Sequence, residues 1–337
     1  MTAPEPRANP DLRGQDAAEA TLLEALHSAR MHHAWLLTGP PGVGKATLAF
    51  RFARRLLAGP AAGAESLALP PSHPTFRRVA AGGHADLLTV EREWDAKRKR
   101  LRGEIVVEDV RRIAAFLHLT PAEGGWRVVV LDGAEDLNRS AANALLKVLE
   151  EPPPRAVLLL VSHAAGRLLP TIRSRTRRLR LGPLAEDTVA DLLGAYAPEI
   201  AAEERLRLAG LAEGSIGRAL QLAEGGAIPV ADLVGTVLEA LPALPPTRAH
   251  EVADTLGRDE DAFGTFMDLL RAALAAAVRA AARGRADPDQ SRLLGARPLA
   301  AWVDVWQGLT ALQDETERFH LDRRQALVAG FALLAGQ

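Results

Sequence analysis

The 337-residue sequence contains no cysteine, which excludes disulfide bonds and thiolate metal sites and agrees with a reducing cytosol. No apolar run reaches the roughly 18 residues needed to span a bilayer, so we expect no membrane segment. Residues 1–11 are polar and rich in proline, with no hydrophobic segment behind them, so we expect no secretory signal and predict a cytoplasmic location. The formal net charge of −1 excludes a general electrostatic attraction to nucleic acid, so any contact with DNA must come from local patches.

The first half of the sequence alternates between short apolar runs and stretches with apolar residues at helical spacing. This alternation predicts an α/β domain with a parallel sheet covered by helices, which binds ligands at the carboxyl ends of its strands. Beyond about residue 182 the strand-like runs disappear and amphipathic helical stretches follow. The predicted strands cover residues 34–38, 87–91, 127–131 and 156–161, and the predicted domains cover residues 1–182, 183–226 and 227–337.

A phosphate-binding loop is predicted at 39–45, where the sequence reads Gly-Pro-Pro-Gly-Val-Gly-Lys between a strand-like run and a helical stretch. In such a loop, backbone N–H groups and a helix N-terminus form a positively polarised concavity, and the lysine reaches the outer phosphates of a nucleotide. The candidate nucleotide-binding residues in and beside the loop are Gly39, Gly42, Gly44, Lys45 and Thr47.

The residues that would make this loop hydrolytic are missing. Ala46 stands where a hydroxyl should reach Mg²⁺, and Thr47 comes one position too late. The strand at 127–131 leads to Asp132, which is able to hold Mg²⁺ through water. Gly133 follows it where a second acidic residue is expected. Ser162, at the end of another strand, is a candidate sensor of the γ-phosphate or simply a cap of that strand.

Three motifs carry a family resemblance. Residues 33–40 lead into the loop, residues 143–153 read Asn-Ala-Leu-Leu-Lys-Val-Leu-Glu-Glu-Pro-Pro, and residues 168–176 end in Arg-Ser-Arg-Thr. Together they resemble subunits of bacterial clamp loaders, which belong to the AAA+ superfamily, and are most similar to the delta-prime subunits of DNA polymerase III. The resemblance implies an AAA+ P-loop core at 1–182, a small helical lid at 183–226 and a helical collar for oligomerisation at 227–337.

The resemblance also implies a function. Clamp loaders are pentameric, ATP-driven rings in which gamma or tau, delta and delta-prime subunits open the sliding clamp and place it on primer-template DNA. An arginine of one subunit completes the ATP site of its neighbour, and Arg175 occupies that motif position here, with Thr176 where cysteine is usual. Such an arginine neutralises charge on the transferring γ-phosphate. The alternative from the residues alone is that Arg175 belongs to a basic strand at 173–180 that faces solvent.

The sequence departs from the motor subunits of the family at a third position. Their second sensing arginine lies in a Gly-Ser-x-Arg pattern, whereas residues 214–218 read Gly-Ser-Ile-Gly-Arg. Gly217 therefore takes the expected place, and Arg218 is rotated by about 100° around the helix. The resemblance implies a subunit that acts through Arg175 in trans without turning over ATP, while binding of ATP and Mg²⁺ by its own loop stays open.

A structural zinc site is not expected. Related subunits commonly carry a four-cysteine zinc module after the helix that follows the loop, but residues 59–86 contain no cysteine. His73 and His84 cannot form a tetrahedral site by themselves.

Two other hypotheses compete with this interpretation. The chain is an active gamma- or tau-like motor, or another AAA+ ATPase, if Thr47 and Glu135 serve in shifted roles. It is a direct DNA-binding module if the dense basic run at 91–103, which contains Trp94, contacts the phosphate backbone. We favour a solvated hairpin or loop for that run.

Overall fold

The computed structural model describes residues 3–28, 31–60, 63, 65–97, 99–123, 125–241 and 243–336. The backbone divides into two compact units, Met1–Ala219 and Leu220–Gln337. The predicted division into three domains, with limits near 182 and 226, stays a prediction. Among the described residues, no helix combines the length and apolarity that a bilayer crossing requires.

A five-stranded parallel sheet forms the centre of the first unit, in the order β2-β5-β6-β1-β7. A separate antiparallel pair, β3 and β4, follows β2 along the chain. The predicted parallel sheet followed by a helical region is confirmed. The strands are β1 (Ala34–Thr38), β2 (Leu87–Val90), β3 (Trp94–Asp95), β4 (Arg100–Leu101), β5 (Arg127–Asp132), β6 (Ala156–Ser162) and β7 (Arg177–Arg180).

Helices cover both faces of this sheet, which is why its central strands are apolar along their whole length. The side chains of β1 and β6 are buried throughout. One face packs against α1 (Asp16–His27), α2 (Lys45–Ala58) and α3 (Pro74–Ala80). The other packs against α4 (Val107–His118), α5 (Arg139–Glu150) and α6 (Pro170–Ser174).

The remaining helices follow the sheet. The first unit continues with α7 (Glu186–Tyr196) and α8 (Ala202–Leu211), and α9 (Ile216–Glu224) begins in it. The second unit is helical in its described part, and its buried core includes aromatic side chains such as Phe266 and Trp302. Its further helices are α10 (Ala227–Ala240), α11 (Pro246–Leu256), α12 (Glu260–Ala282), α13 (Pro288–Leu294), α14 (Leu299–Phe319) and α15 (Arg323–Ala335).

The two histidines of the region where a zinc module was considered serve local turns. The ring of His73 accepts a hydrogen bond from the backbone N–H of Thr75 at 3.1 Å and caps α3. The ring of His84 accepts one from the backbone N–H of Asp86 at 3.2 Å, and burial lowers its pKa. In the described part of the chain, no three His, Asp or Glu side chains are grouped closely enough to hold a metal ion.

Candidate functional site

The phosphate loop joins β1 to α2, and its glycines are required by the backbone. Gly42 and Gly44 have φ angles of +71° and +96°, which side-chain-bearing residues rarely adopt. A Cβ atom at Gly39 would lie 2.3 Å from the carbonyl oxygen of Leu181, the residue that follows β7. Gly39 therefore serves the close approach of β7, whereas Gly42 and Gly44 shape the loop.

Lys45 folds back onto its own loop. Only 3% of this residue is exposed, and its ammonium group donates hydrogen bonds to the carbonyl oxygens of Gly39, at 2.9 Å, and Pro40. Burial lowers the pKa of Lys45 to about 8, although Asp132 and Glu135 partly oppose this shift. The side chain predicted to reach phosphate thus stabilises the loop in the structure.

The strand register brings the other predicted residues to the carboxyl edge of the sheet. Thr38, which leads into the loop, lies opposite Ser162, and Asp132 lies opposite Val161. Burial raises the pKa of Asp132. The side chain of Ser162 is buried at this edge. Asp132 and Ser162 therefore occupy the predicted edge, and their roles toward a nucleotide stay a prediction.

Glu135, the candidate for a shifted catalytic role, is engaged elsewhere. Gly133 has a φ angle of +78° and starts a 3₁₀ turn at Ala134–Asp136. The Glu135 carboxylate then accepts a hydrogen bond from the backbone N–H of His163 at 2.8 Å. Burial raises the pKa of Glu135, but hydrogen bonds from backbone N–H groups and from the Ser162 side chain, together with the charge of His163, outweigh burial, so the net pKa lies below the usual value. Residue His163 was not predicted from the sequence.

The start of α9 packs directly on the phosphate loop. The Ser215 hydroxyl donates to the carbonyl oxygen of Pro41 at 2.9 Å, and the Gly217 N–H donates to that of Gly42 at 3.2 Å. A Cβ atom at Gly217 would lie 2.9 Å from the Cα atom of Gly42, so only glycine fits. The Arg218 guanidinium forms an ion pair with Glu213 at 2.8 Å, and its place away from the nucleotide position stays a prediction.

An N-terminal strap, residues 3–13, completes the cleft around the loop and was missed from the sequence. Arg54 of α2, 1% exposed, donates to the carbonyl oxygens of Arg7 at 2.9 Å and Asn9 at 2.8 Å. The Asn9 side-chain amide donates to the Tyr196 hydroxyl of α7 at 3.1 Å. The sequence offered one weak signal, the three arginines of α2, Arg51, Arg54 and Arg55, but nothing in it identifies the carbonyl groups that Arg51 and Arg54 bind.

The cleft has a volume of about 450 Å³. It brings together the strap, the loop, α7 and the carboxyl edge of the sheet. Five of the predicted nucleotide-binding residues line it, but Gly39, Ser162 and Arg175 do not. Those five are Gly42, Gly44, Lys45, Thr47 and Asp132.

The donor set fits a phosphate group better than a reactive Mg²⁺–ATP complex. The loop offers backbone N–H groups at a helix N-terminus, which is the environment that binds phosphate. Ala46 offers no hydroxyl to a metal, and the Glu135 carboxylate is already bound to a backbone N–H. The residues present therefore do not fit a metal-assisted hydrolysis at this loop.

Arg175 lies outside this cleft, between the ends of α5 and α6. Its guanidinium forms an ion pair with Glu150 at 2.7 Å and donates to the carbonyl oxygen of Thr171 at 3.2 Å. The neighbouring arginines make different contacts. The Arg177 guanidinium lies over the Trp35 ring, 4.8 Å from its centre, and Arg178 donates a hydrogen bond to the Thr38 hydroxyl at 3.2 Å. The structure thus separates Arg175 from the basic edge strand that follows it.

Comparison with known proteins agrees with these motifs. The family described as DNA polymerase III, delta subunit, matches residues 14–185, more than half of the 337 residues. This chain belongs to the DNA polymerase III delta subunit family. A delta-prime subunit from Pseudomonas aeruginosa is 44% identical over 147 residues, which are 44% of this chain and 42% of that protein. The resemblance to delta-prime subunits is confirmed.

Relatives at lower identity include gamma and tau subunits of DNA polymerase III. The tau subunit from Escherichia coli is 32% identical over 225 residues, 65% of this chain and 33% of that protein. The chain spans less than half the length of these two curated relatives. Among solved structures, a gamma subunit-related protein from Thermotoga maritima covers 94% of this chain and 99% of its own, with 20% identity and a TM-score of 0.41.

We expect Gly217→Ala to destabilise the first unit. Alanine normally stabilises a helix relative to glycine by ~1 kcal/mol. Here its Cβ would meet the Gly42 backbone at 2.9 Å. Overpacking of this kind costs about 1–3 kcal/mol. Urea unfolding measures the change in free energy, and Gly210→Ala in α8, where nothing lies within 4 Å, is the matched control with the opposite expected sign. If both variants gain stability equally, the proposed contact is wrong.

A second expectation concerns pH. Because the pKa of Lys45 is lowered to about 8 in the folded chain, the folded state binds fewer protons than the unfolded state between about pH 8 and 10. The free energy of unfolding should therefore rise with pH in that window, by up to about 1.4 kcal/mol per pH unit. Urea unfolding at both ends of the window should show this rise in the wild-type chain and in the exposed control Lys147→Met. It should be absent in Lys45→Met, and an equal rise there would contradict the assignment.

Proposed function

We propose that this chain is a delta-prime-type subunit of a DNA polymerase III clamp loader, which supplies Arg175 to ATP bound by a neighbouring gamma or tau subunit. The observation that carries the proposal is the separation within one chain between Arg175 and the loop. Arg175 is held outside the cleft of its own loop. That loop has Ala46 where a metal-binding hydroxyl is expected, and the Glu135 carboxylate near it is bound by the His163 N–H.

The proposed chemistry is stabilisation of charge, with no covalent step on this chain. As the γ-phosphoryl group transfers, negative charge is spread over its oxygens, and an arginine placed there by a partner lowers the barrier. A guanidinium has five N–H donors. Glu150 and Thr171 each accept from one terminal nitrogen of Arg175, so other N–H groups remain for phosphate oxygens.

Glu150 acts on this chemistry by positioning Arg175. A terminal guanidinium nitrogen of Arg175 lies 2.7 Å from a carboxylate oxygen of Glu150, and both side chains are partly exposed. An exposed ion pair of this kind contributes little to stability, about 0–1 kcal/mol. Its effect is instead to restrict a flexible side chain before a phosphate arrives, which reduces the entropy cost of the contact.

The other parts of the proposal follow from family membership. The delta and gamma or tau subunits would be direct partners, joined through a helical collar at 227–337, and the sliding clamp and primer-template DNA would be reached through the complex. A cytoplasmic location is part of this proposal. The motor hypothesis has less support, because Ala46 cannot bind Mg²⁺ and Glu135 is bound by the His163 N–H.

The deciding experiment is ATP hydrolysis by a reconstituted complex that contains either the wild-type chain or Arg175→Ala. We expect turnover at the site completed by Arg175 to fall by about 10³-fold or more, as for other trans-acting arginines. The matched control is Arg173→Ala, which changes an exposed arginine two positions earlier and should leave the rate unchanged. Hydrolysis by the chain alone, with no effect of Arg175→Ala in an intact complex, would overturn the proposal in favour of a motor.

The role of Glu150 is tested in the same assembly. Glu150→Ala should lower kcat about tenfold with little change in KM for ATP, because a less restricted arginine still reaches the phosphate but is positioned less often. Glu150→Gln, which keeps a hydrogen-bond acceptor, should recover part of the rate. The control is Glu151→Ala, at the adjacent exposed residue, which should have the kcat and KM of the wild-type complex. Equal losses in both alanine variants would indicate a general structural effect at the end of α5.

A further inference from the structure

A cavity of about 450 Å³ lies at the end of α2 that is opposite to the phosphate loop. It is enclosed by the end of α1, the end of α2 and Trp126, the residue before β5. Because α2 has 14 residues, this cavity is roughly 20 Å from the loop. It is therefore separate from the cleft around the loop.

The walls of this cavity are largely apolar. Leu56 is 2% exposed, and the partly buried side chains of Leu26, Met31 and Trp126 pack against the same hydrophobic core. A Cβ atom at Gly59 would meet no atom of a non-adjacent residue within 4 Å, so the space beside the end of α2 is open. Small-molecule sites of this size combine apolar walls with a few placed polar groups.

Arg55 of α2 lines the cavity and is a buried cation without a counter-charge. The residue is 4% exposed, and its guanidinium donates to the carbonyl oxygens of Gly59, at 2.7 Å, and Gly63. A carbonyl oxygen carries no full negative charge. Within the described residues, no carboxylate lies at ion-pair distance from Arg55, and burial lowers its pKa with no acidic neighbour to oppose the shift.

Arg55 also keeps hydrogen-bonding capacity for a ligand. A guanidinium has five N–H donors. The Nε of Arg55 is buried and has no hydrogen-bond partner in the described part of the chain. A carboxylate would supply both the missing acceptor and the missing charge, since arginine and carboxylate groups form strong, charge-assisted hydrogen bonds. None of the described residues that line the cavity is acidic, so this carboxylate has to come from a bound molecule.

We infer that this cavity binds a small carboxylate with an apolar chain. The carboxylate accepts hydrogen bonds from Arg55, and the chain lies against Leu56 and Trp126. Two sources carry this chemistry, a free carboxylic acid and the C-terminal carboxylate of a peptide that ends in apolar side chains. The inference does not rest on the proposed function, because it concerns the other end of α2 and needs only the isolated chain.

The experiment is a calorimetric titration of the full chain with octanoate and, in parallel, with its neutral counterpart 1-octanol. Octanoate should bind at least about tenfold more tightly, because a hydrogen bond to a charged group is stronger than one between neutral groups. In Arg55→Met, which keeps an apolar side chain of similar length, this preference should disappear. The matched control is Arg77→Met, which removes an exposed arginine of α3 and should retain the preference.

The position of the ligand is measured in the wild-type chain, because Arg55 also supports the end of α2 and its variant has to be checked by urea unfolding. Octanoate should shift the NMR signal of the Trp126 indole N–H, which is assigned by its loss in Trp126→Phe. The indole signal of Trp302, in the second unit, should not move. The inference is overturned if octanoate and 1-octanol bind equally to the wild-type chain, if folded Arg55→Met keeps the preference, or if the Trp126 signal does not shift.

A further pair of ligands distinguishes the two sources. The pair is an acetylated Gly-Leu-Phe tripeptide with a free C-terminal carboxylate and the same tripeptide as its C-terminal amide. Tighter binding of octanoate than of the free tripeptide assigns the cavity to free carboxylic acids. Tighter binding of the free tripeptide, lost in its amide, assigns it to the C-terminus of a partner protein. If neither carboxylate binds, the inference is wrong for both sources.

Discussion

The hydrogen bond between the Gly217 N–H and the Gly42 carbonyl is the contact on which the arrangement around the phosphate loop depends. Two glycines face each other without side chains, so the backbone of α9 approaches the backbone of the loop directly. The family resemblance expects a nucleotide-sensing arginine at position 217. Such an arginine would contact the loop only through a bound nucleotide. Gly217 instead contacts the backbone of the loop directly. The loop is then held by the chain around it, through Ser215, Gly217 and its own Lys45.

Much of the first unit could be predicted from the sequence, because buried parallel strands are apolar throughout and a glycine-rich loop with lysine has a distinct pattern. The N-terminal strap could not. It has no periodic pattern, and it is held by side chains such as Arg54 that are distant in sequence from the carbonyl groups they bind. Spacing along the chain carries no information about such contacts.

The basic stretch at 173–180 shows a second limit of sequence analysis. This stretch contains five arginines at short intervals, and the sequence does not show which of them face solvent and which contact other parts of the chain. Their differences come from neighbours: the Trp35 ring lies under Arg177, and Glu150, on a different helix, lies beside Arg175. The motif resemblance selected Arg175, and only the fold supplied the physical reason for treating it apart from the others.

The same geometry supports the proposed function, in which the chain supplies Arg175 to a neighbouring subunit and does not hydrolyse ATP at its own loop. The residues absent from the loop, at 46 and 133, follow β1 and β5, whereas Arg175 is held by the ends of α5 and α6. The contacts of Arg175 with Glu150 and Thr171 therefore involve neither of those two positions. The two sites remain connected through the sheet, because β7 begins two residues after Arg175 and pairs with β1. Close packing of Gly39 against Leu181, the residue after β7, thus ties the loop to the strand that follows Arg175. Under the proposed function, the loop contributes this rigidity and no chemistry of its own.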